Sequence, residues 1–289
     1  MQTNDPQGFD RRTCLYHYTS AAGLDGILRQ RLLRASDTAF LNDWQEIIYA
    51  AEPLIDRMSE LLESVRQDDA TRDPQQMTRS SIVKSALNAI KRFAHLDKDM
   101  PTPNPGQYID GATYVACLSE EHDQLGQWRA YGQRGYAIGF RKVGLEQTSG
   151  QLKKVVYGEN GINEICKTII DYFKTRRLVG HPGTHGYFDA MNFCMPLLAA
   201  VKHEAFQQEA EWRIIVSNYG GTGPPVKVRT SPRLIPYVEL RFDPSCIAEI
   251  VIGPGGDFHA KRAVRAALRA SNYNPDTVLI TQSTAPFRG

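Results

Sequence analysis

What most constrains the fold of this chain is a change of pattern near residue 105, from helical to strand-like. Residues 44–65 place Ile47, Ile48, Ala51, Leu54, Ile55, Met58, Leu61 and Leu62 at the spacing of one helix face, and 79–95 predicts a second helix after a polar gap. Pro101, Pro103 and Pro105 end that stretch, because each lacks a backbone donor and disfavours helix in the residue before it. Beyond them strand-like runs dominate, at 112–119, 135–140, 152–157, 209–217, 226–230, 236–241, 247–252 and 277–281, interrupted by helical patterns at about 161–178, 187–200 and 257–271. Ahead of the helical stretch, 13–19 reads as a first strand, Ser20 as the cap of a helix running to about Gln30, and 32–36 as a short strand. Strands and helices that arrive in clusters without regular alternation predict an α+β fold. No linker demands a second domain, so residues 1–289 are read as one domain with a helical insertion at about 44–105.

A net charge of +2 over 289 residues puts no bulk electrostatic demand for nucleic acid or an anionic membrane on the chain. Cys14, Cys117, Cys166, Cys194 and Cys246 form no Cys-x-x-Cys pair and read as buried free thiols of a reducing compartment. The first eight residues are polar, and no apolar stretch approaches the roughly 18 residues needed to span a bilayer. A cytoplasmic protein without membrane partners is expected.

The chemistry-bearing residues gather in a few places. Glu209 and Glu211 open the run 209–217, where strand alternation puts both on one face with Arg213 following. Apolar side chains normally fill such positions. The pair therefore either lines a polar cleft or lies on a wet strand edge with Arg213 as ion-pair partner. On the first strand His17 and Thr19 share a face, flanked by Tyr16 and Tyr18. Asn42, Asp43 and Glu46 have the spacing of a capping box, with a ligand contact as the other reading. Trp128 and Tyr131 lie three apart on a helical turn; Trp128 reads best as core, and Tyr131, whose hydroxyl needs a partner, as the better site residue.

Leu-Tyr-His-Tyr-Thr-Ser, Phe-Leu-Asn-Asp-Trp-Gln-Glu, Ala-Cys-Leu-Ser-Glu, Trp-Arg-Ala-Tyr-Gly with Gly-Tyr-Ala-Ile-Gly-Phe, Phe-Gln-Gln-Glu-Ala-Glu-Trp-Arg-Ile-Ile, Ile-Gly-Pro and the closing Ser-Thr-Ala-Pro-Phe-Arg occur in that order. Over residues 14–288 the chain resembles the DUF2971 family, bacterial proteins of unknown function. In a second resemblance, His17-x-Thr19, a later aromatic and Glu209-x-Glu211 are similar to the His-Tyr-Glu layout of ADP-ribosyltransferases. Tyr18 stands where that motif usually has Gly, and the Ser-Thr-Ser signature of the arginine-specific branch is absent.

The second resemblance implies two small mixed or antiparallel sheets around a cleft that grips NAD. His17 would bind the adenosine-side ribose, Thr19 the nicotinamide half, Tyr131 or Tyr18 would stack on the ring, and Glu211 would contact the nicotinamide ribose. Asn42, Trp128 and Arg213 complete the residues expected around NAD, and Glu209 would orient or deprotonate the acceptor. The expected activity is an ADP-ribosyltransferase or NAD glycohydrolase, as in a toxin or anti-phage effector. NAD is then a substrate, no metal is expected, and an acceptor and an antitoxin or defence-system protein are the expected partners. The alternatives are a metal-dependent nuclease or other phosphoryl-transfer enzyme built on Asp43, Glu209 and Glu211, and a non-catalytic sensing module.

Overall fold

The computed structural model describes residues 9–41, 44–69, 79–93, 111–132, 135–175, 185–219, 223–230, 233–256 and 258–286. The Pro-rich stretch 100–105, Asn42 and Asp43 lie outside them, as does the Glu46 side chain. The capping box, the Asn42 ligand contact and the Asp43 metal ligand therefore carry no structural description.

The elements follow the order of the sequence patterns. Strand β1 (Cys14–Thr19) leads to helix α1 (Ala21–Gln30) and β2 (Leu32–Asp37), then to helices α2 (Trp44–Asp69) and α3 (Arg79–Phe93). Next come β3 (Gly111–Ser119), the single turn α4 (Leu125–Gln127) continued by a π turn over Trp128–Gly132, β4 (Tyr136–Arg141) and α5 (Lys142–Leu145). After β5 (Gln151–Lys154) and β6 (Val156–Tyr157) stand helices α6 (Gly158–Thr175) and α7 (His185–Leu198). The chain ends with β7 (Val201–Lys202), β8 (Glu211–Tyr219), β9 (Lys227–Arg229), β10 (Ile235–Arg241), β11 (Ile247–Ile252), α8 (Ala260–Ala270) and β12 (Leu279–Gln282). Ser20 caps α1 as its position implies, its hydroxyl accepting from the Gly23 amide at 3.1 Å.

The fold is α+β, built on a large mixed sheet and several helices. Ten strands are hydrogen-bonded into that sheet, in the order β12-β11-β4-β1-β3-β2-β10-β9, with β8 on β3 and β5 on β8. The seam between β1 and β3 consists of one register pair, Tyr16↔Ser119, whereas β1 pairs with β4 over six residues and β3 with β8 over nine. The sheet is thus two leaves joined at one point, β12-β11-β4-β1 and β5-β8-β3-β2-β10-β9. The two small sheets expected from sequence are corrected to one ten-stranded sheet, because that pair keeps the leaves in register. Run 152–157 also divides, with β6 leaving to form a parallel pair with β7.

Two large apolar clusters do most to hold the layers. Leu24 and Leu28 of α1 and Val264 and Leu268 of α8 pack on one face of the sheet with Leu15, Ile138, Phe140, Val238 and Ile250. Helices α2, α3, α6 and α7 bury Leu54, Met58, Ile82, Ile90, Ile169, Phe173 and Met195 against one another, with Val201 of β7 and Tyr219 of β8. At about 1.5–3 kcal/mol for each fully buried side chain, these two clusters supply the main drive to fold. No helix among the described residues is long and apolar enough to cross a membrane.

Candidate functional site

Where the leaves part, a small pocket of about 70 Å3 opens to solvent, lined by Tyr16, His17 and Tyr18 of β1, Cys117 and Leu118 of β3, Gln127, Tyr131, Glu209 and Glu211. That volume is well below the roughly 300–1,000 Å3 usual for small-molecule sites, so the pocket encloses a ring-sized fragment rather than a whole dinucleotide. His17 spans the gap, its Nδ1 lying 3.0 Å from the Cys117 carbonyl oxygen. A carbonyl oxygen can only accept, so Nδ1 carries the proton and the neutral ring keeps Nε2 as an acceptor. Burial lowers the imidazole pKa below its ordinary value against the opposing pull of that hydrogen bond, which favours the neutral form.

The two glutamates reach the pocket by different backbone routes. Glu209 ends a 3-10 turn over Glu204–Glu209, Ala210 turns left-handed at φ 44°, and the strand begins only at Glu211. The expected shared strand face for Glu209 and Glu211 is thereby corrected: three-residue hydrogen bonding continues through Glu209, and Ala210 breaks the alternation. Tertiary contacts set the turn, with the Ser119 hydroxyl donating to the Glu209 carbonyl at 2.7 Å and the Glu120 amide to the Ala210 carbonyl at 3.0 Å.

Lys202 reunites the two acids. Its side chain is fully buried, and Nζ stands 2.7 Å from Glu209 Oε2 and 3.2 Å from Glu211 Oε2, 4.6 Å from the centre of the Phe206 ring. Glu211 also takes both prongs of Arg213, Nε at 2.7 Å and Nη2 at 3.1 Å, while Arg213 Nη1 donates to the Ala199 carbonyl at 2.7 Å. The Glu211 amide donates to the Tyr157 hydroxyl at 2.8 Å. Burial alone would push the Glu211 carboxyl up, but Arg213 and then Lys202 outweigh it and hold the pKa at about 2. Glu211 is therefore a permanent anion at neutral pH, and the wet-edge reading fails because Glu211 and Arg213 are 4% and 3% exposed.

The remaining sequence candidates separate by position. Tyr131 is about half exposed at the pocket mouth. The Tyr18 hydroxyl donates to the Glu121 carbonyl at 2.7 Å and accepts from the Gln124 amide at 3.1 Å, and its ring meets Trp128 edge-on at 4.7 Å. Trp128 is fully buried with its indole N–H on Asp123 at 2.7 Å, so it stands behind the wall rather than on it. Asp123 is held below the usual carboxylate range by Ser283, Thr284 and Trp128 against the opposing effect of burial. The closing Ser-Thr segment thereby fastens the loop that carries Gln127 and Tyr131. Thr19 and Arg213 do not line the pocket, and Thr19 packs on Gly23 at the start of α1.

Sequence reasoning missed Lys202 and Gln127 and misread Cys117. Cys117 is exposed, unlike the other four cysteines, so the expectation of five buried thiols is corrected for this one. It lies on the concave wall with Glu211 close by, and the dense surroundings push its thiol pKa well up. The available signal for Lys202 was a lone lysine closing the apolar run 197–201. Among the described residues no group of three or more His, Cys, Asp or Glu is arranged to hold a metal ion.

No curated protein and no solved structure matches the chain. The family model that does match covers a narrower stretch than residues 14–288, but it takes in Gln127, Tyr131, Lys202, Glu209 and Glu211. Residues 127–214 match the family described as protein of unknown function, DUF2971.

Proposed function

We propose that the pocket between the leaves takes NAD and breaks its N-glycosidic bond, passing ADP-ribose to an acceptor or to water. The observation that carries the reading is the meeting of His17, Tyr131, Glu209 and Glu211, distant in sequence, on the wall of one pocket. Two leaves splayed at a seam also suit an ADP-ribosyltransferase-like core. As the C1′–N bond breaks, its electron pair leaves with neutral nicotinamide and C1′ gains oxocarbenium character. A carboxylate that stays ionised in a water-poor wall stabilises that charge. Glu211, with its pKa of about 2, is such a group, and the better-solvated Glu209 is placed to take the proton of an incoming hydroxyl.

The test is nicotinamide release from NAD by the wild type and by Glu211→Gln. The expected result is turnover that falls about 100- to 1000-fold in the variant. No binding and no turnover of NAD by the wild type with any acceptor overturns the reading, and magnesium-dependent cleavage of nucleic acid replaces it with phosphoryl transfer. One observation favours a second reading, a non-catalytic binding module: Arg213 and Lys202 already occupy both oxygens of Glu211. Such a module binds NAD without releasing nicotinamide, so the same assay, read beside a binding titration, distinguishes the two.

A further inference from the structure

Gln127 lines the pocket, yet the proposed reaction gives it no role. It ends α4, is 8% exposed, and its carboxamide makes no hydrogen bond with any described residue. The next residue differs: the Trp128 indole donates to Asp123. The Gln127 amide atoms are not sealed from the pocket, so a ligand group there replaces hydrogen bonds to solvent. An amide sealed on its protein side and turned to a cavity is a group whose partner comes from outside.

We infer that Gln127 recognises a primary carboxamide carried on a planar ring, holding it by a paired hydrogen bond in which Oε1 accepts from the ligand N–H and Nε2 donates to the ligand carbonyl. An amide is the complement of an amide, offering one donor and one acceptor side by side. The rest of the wall decides against the corresponding acid. Glu209 and Glu211 face the pocket while Lys202 and Arg213 stand behind them, so a ligand carboxylate meets the anions first. The Nε2 acceptor of His17 and the Tyr131 phenol offer further contacts to the ring. The inference rests on the reading of the pocket as an NAD site and deepens it, naming the end of NAD that enters and the residue that fixes it.

The experiment titrates wild type, Gln127→Leu and Gln127→Asn with nicotinamide and with nicotinic acid, and measures KM and kcat for NAD together with the melting temperature. Wild type is expected to bind nicotinamide at least ten-fold more tightly than nicotinic acid. Gln127→Leu is expected to lose about ten-fold in nicotinamide affinity, with KM for NAD raised and kcat kept, and to melt no lower than wild type because no described residue loses a hydrogen bond to it. Unchanged nicotinamide affinity in Gln127→Leu, in a wild type that cleaves NAD, overturns the inference and leaves the proposed function standing. Lowered melting temperatures in both variants, with the nicotinamide preference intact, make Gln127 structural and overturn it also. A wild type that neither binds nicotinamide nor cleaves NAD removes both readings, and one that binds nicotinamide through Gln127 without cleavage keeps the inference and removes the catalysis.

Discussion

Glu211 and Glu249 lie in different leaves of the sheet, 4% and 0% exposed, each gripped by both prongs of an arginine. Around Glu249 the shell is closed: Arg11 donates at 3.0 and 2.7 Å, the Tyr16 hydroxyl at 2.8 Å and the Thr281 hydroxyl at 2.7 Å. Both carboxyls are held below the ordinary range by those partners, against burial that pushes them up. Glu211 lies on the wall of the pocket between the leaves. Tyr16 touches both environments, its ring on the pocket and its hydroxyl on Glu249, and Gly139 makes room for it, since a Cβ there would stand 2.7 Å from the Tyr16 ring. A depressed pKa and a buried ion pair therefore do not distinguish a candidate site from a brace; adjacency to a solvent-open pocket does.

The comparison is broken or sharpened by four measurements. Glu211→Leu removes the carboxylate that buried Arg213 grips with two prongs and leaves Lys202 on Glu209, and is expected to cost about 3–5 kcal/mol in urea unfolding. Glu249→Leu leaves Arg11, 42% exposed and able to rehydrate, so its main penalty is the orphaned Tyr16 hydroxyl, about 1–3 kcal/mol. Equal losses in the two variants would remove the distinction between them.

Acid titration comes next. The folded pKa of Glu211, about 2, lies below its ordinary 4.5, so the folded state binds fewer protons; its contribution, on the order of 3 kcal/mol, is complete above pH 4.5 and vanishes as the pH falls through about 2. Glu249 acts in the same sense, and both glutamine variants are expected to flatten that limb. His17, also depressed, favours the folded state above pH 6.5 and lets stability decline as the pH drops below it, so His17→Gln is expected to remove the decline that sets in first. A stability profile flat from pH 6.5 to 2 would contradict both assignments.

The third measurement concerns the loop behind the pocket. Asp123→Ala unties Trp128, Ser283 and Thr284 and is expected to cost about 1–3 kcal/mol while weakening whatever the pocket binds. Ligand affinity unchanged in that variant would uncouple the loop from the site. The smallest effect is chemical: a thiol reagent followed by mass spectrometry is expected to label Cys117 alone in the folded protein, slowly at neutral pH because its thiol is pushed up, and faster as the pH rises. Labelling of Cys14, Cys166, Cys194 or Cys246 at a comparable rate would overturn their burial and with it the contrast with Cys117.

Much of the fold was legible. The helical face at 44–65 became α2, the apolar run at 247–252 became β11, and Ser20 capped α1. These are local matters of periodicity and capping. Of the pocket lining, His17, Tyr131, Glu209 and Glu211 were legible as candidates, and less so in their presentation. Strand alternation was extended two residues too far, because the left-handed Ala210 that ends the turn is imposed by β3 through Ser119 and Glu120. Trp128 and Tyr131, equal in spacing, diverged because one indole N–H found Asp123 behind the wall while the other ring reached the mouth.

The sequence by itself determined the α+β class, the order of helices and strands and the acids available to a pocket, since these follow from spacing along a few turns of chain. The tertiary structure decided that β1 and β3 touch at one residue pair and then part, and that Lys202, seven residues before Glu209, folds beneath both carboxylates. It also left the Gln127 side chain without a hydrogen bond to any described residue. Those features depend on where distant strands come to rest, and burial and pairing are properties of that assembled surface rather than of any local pattern.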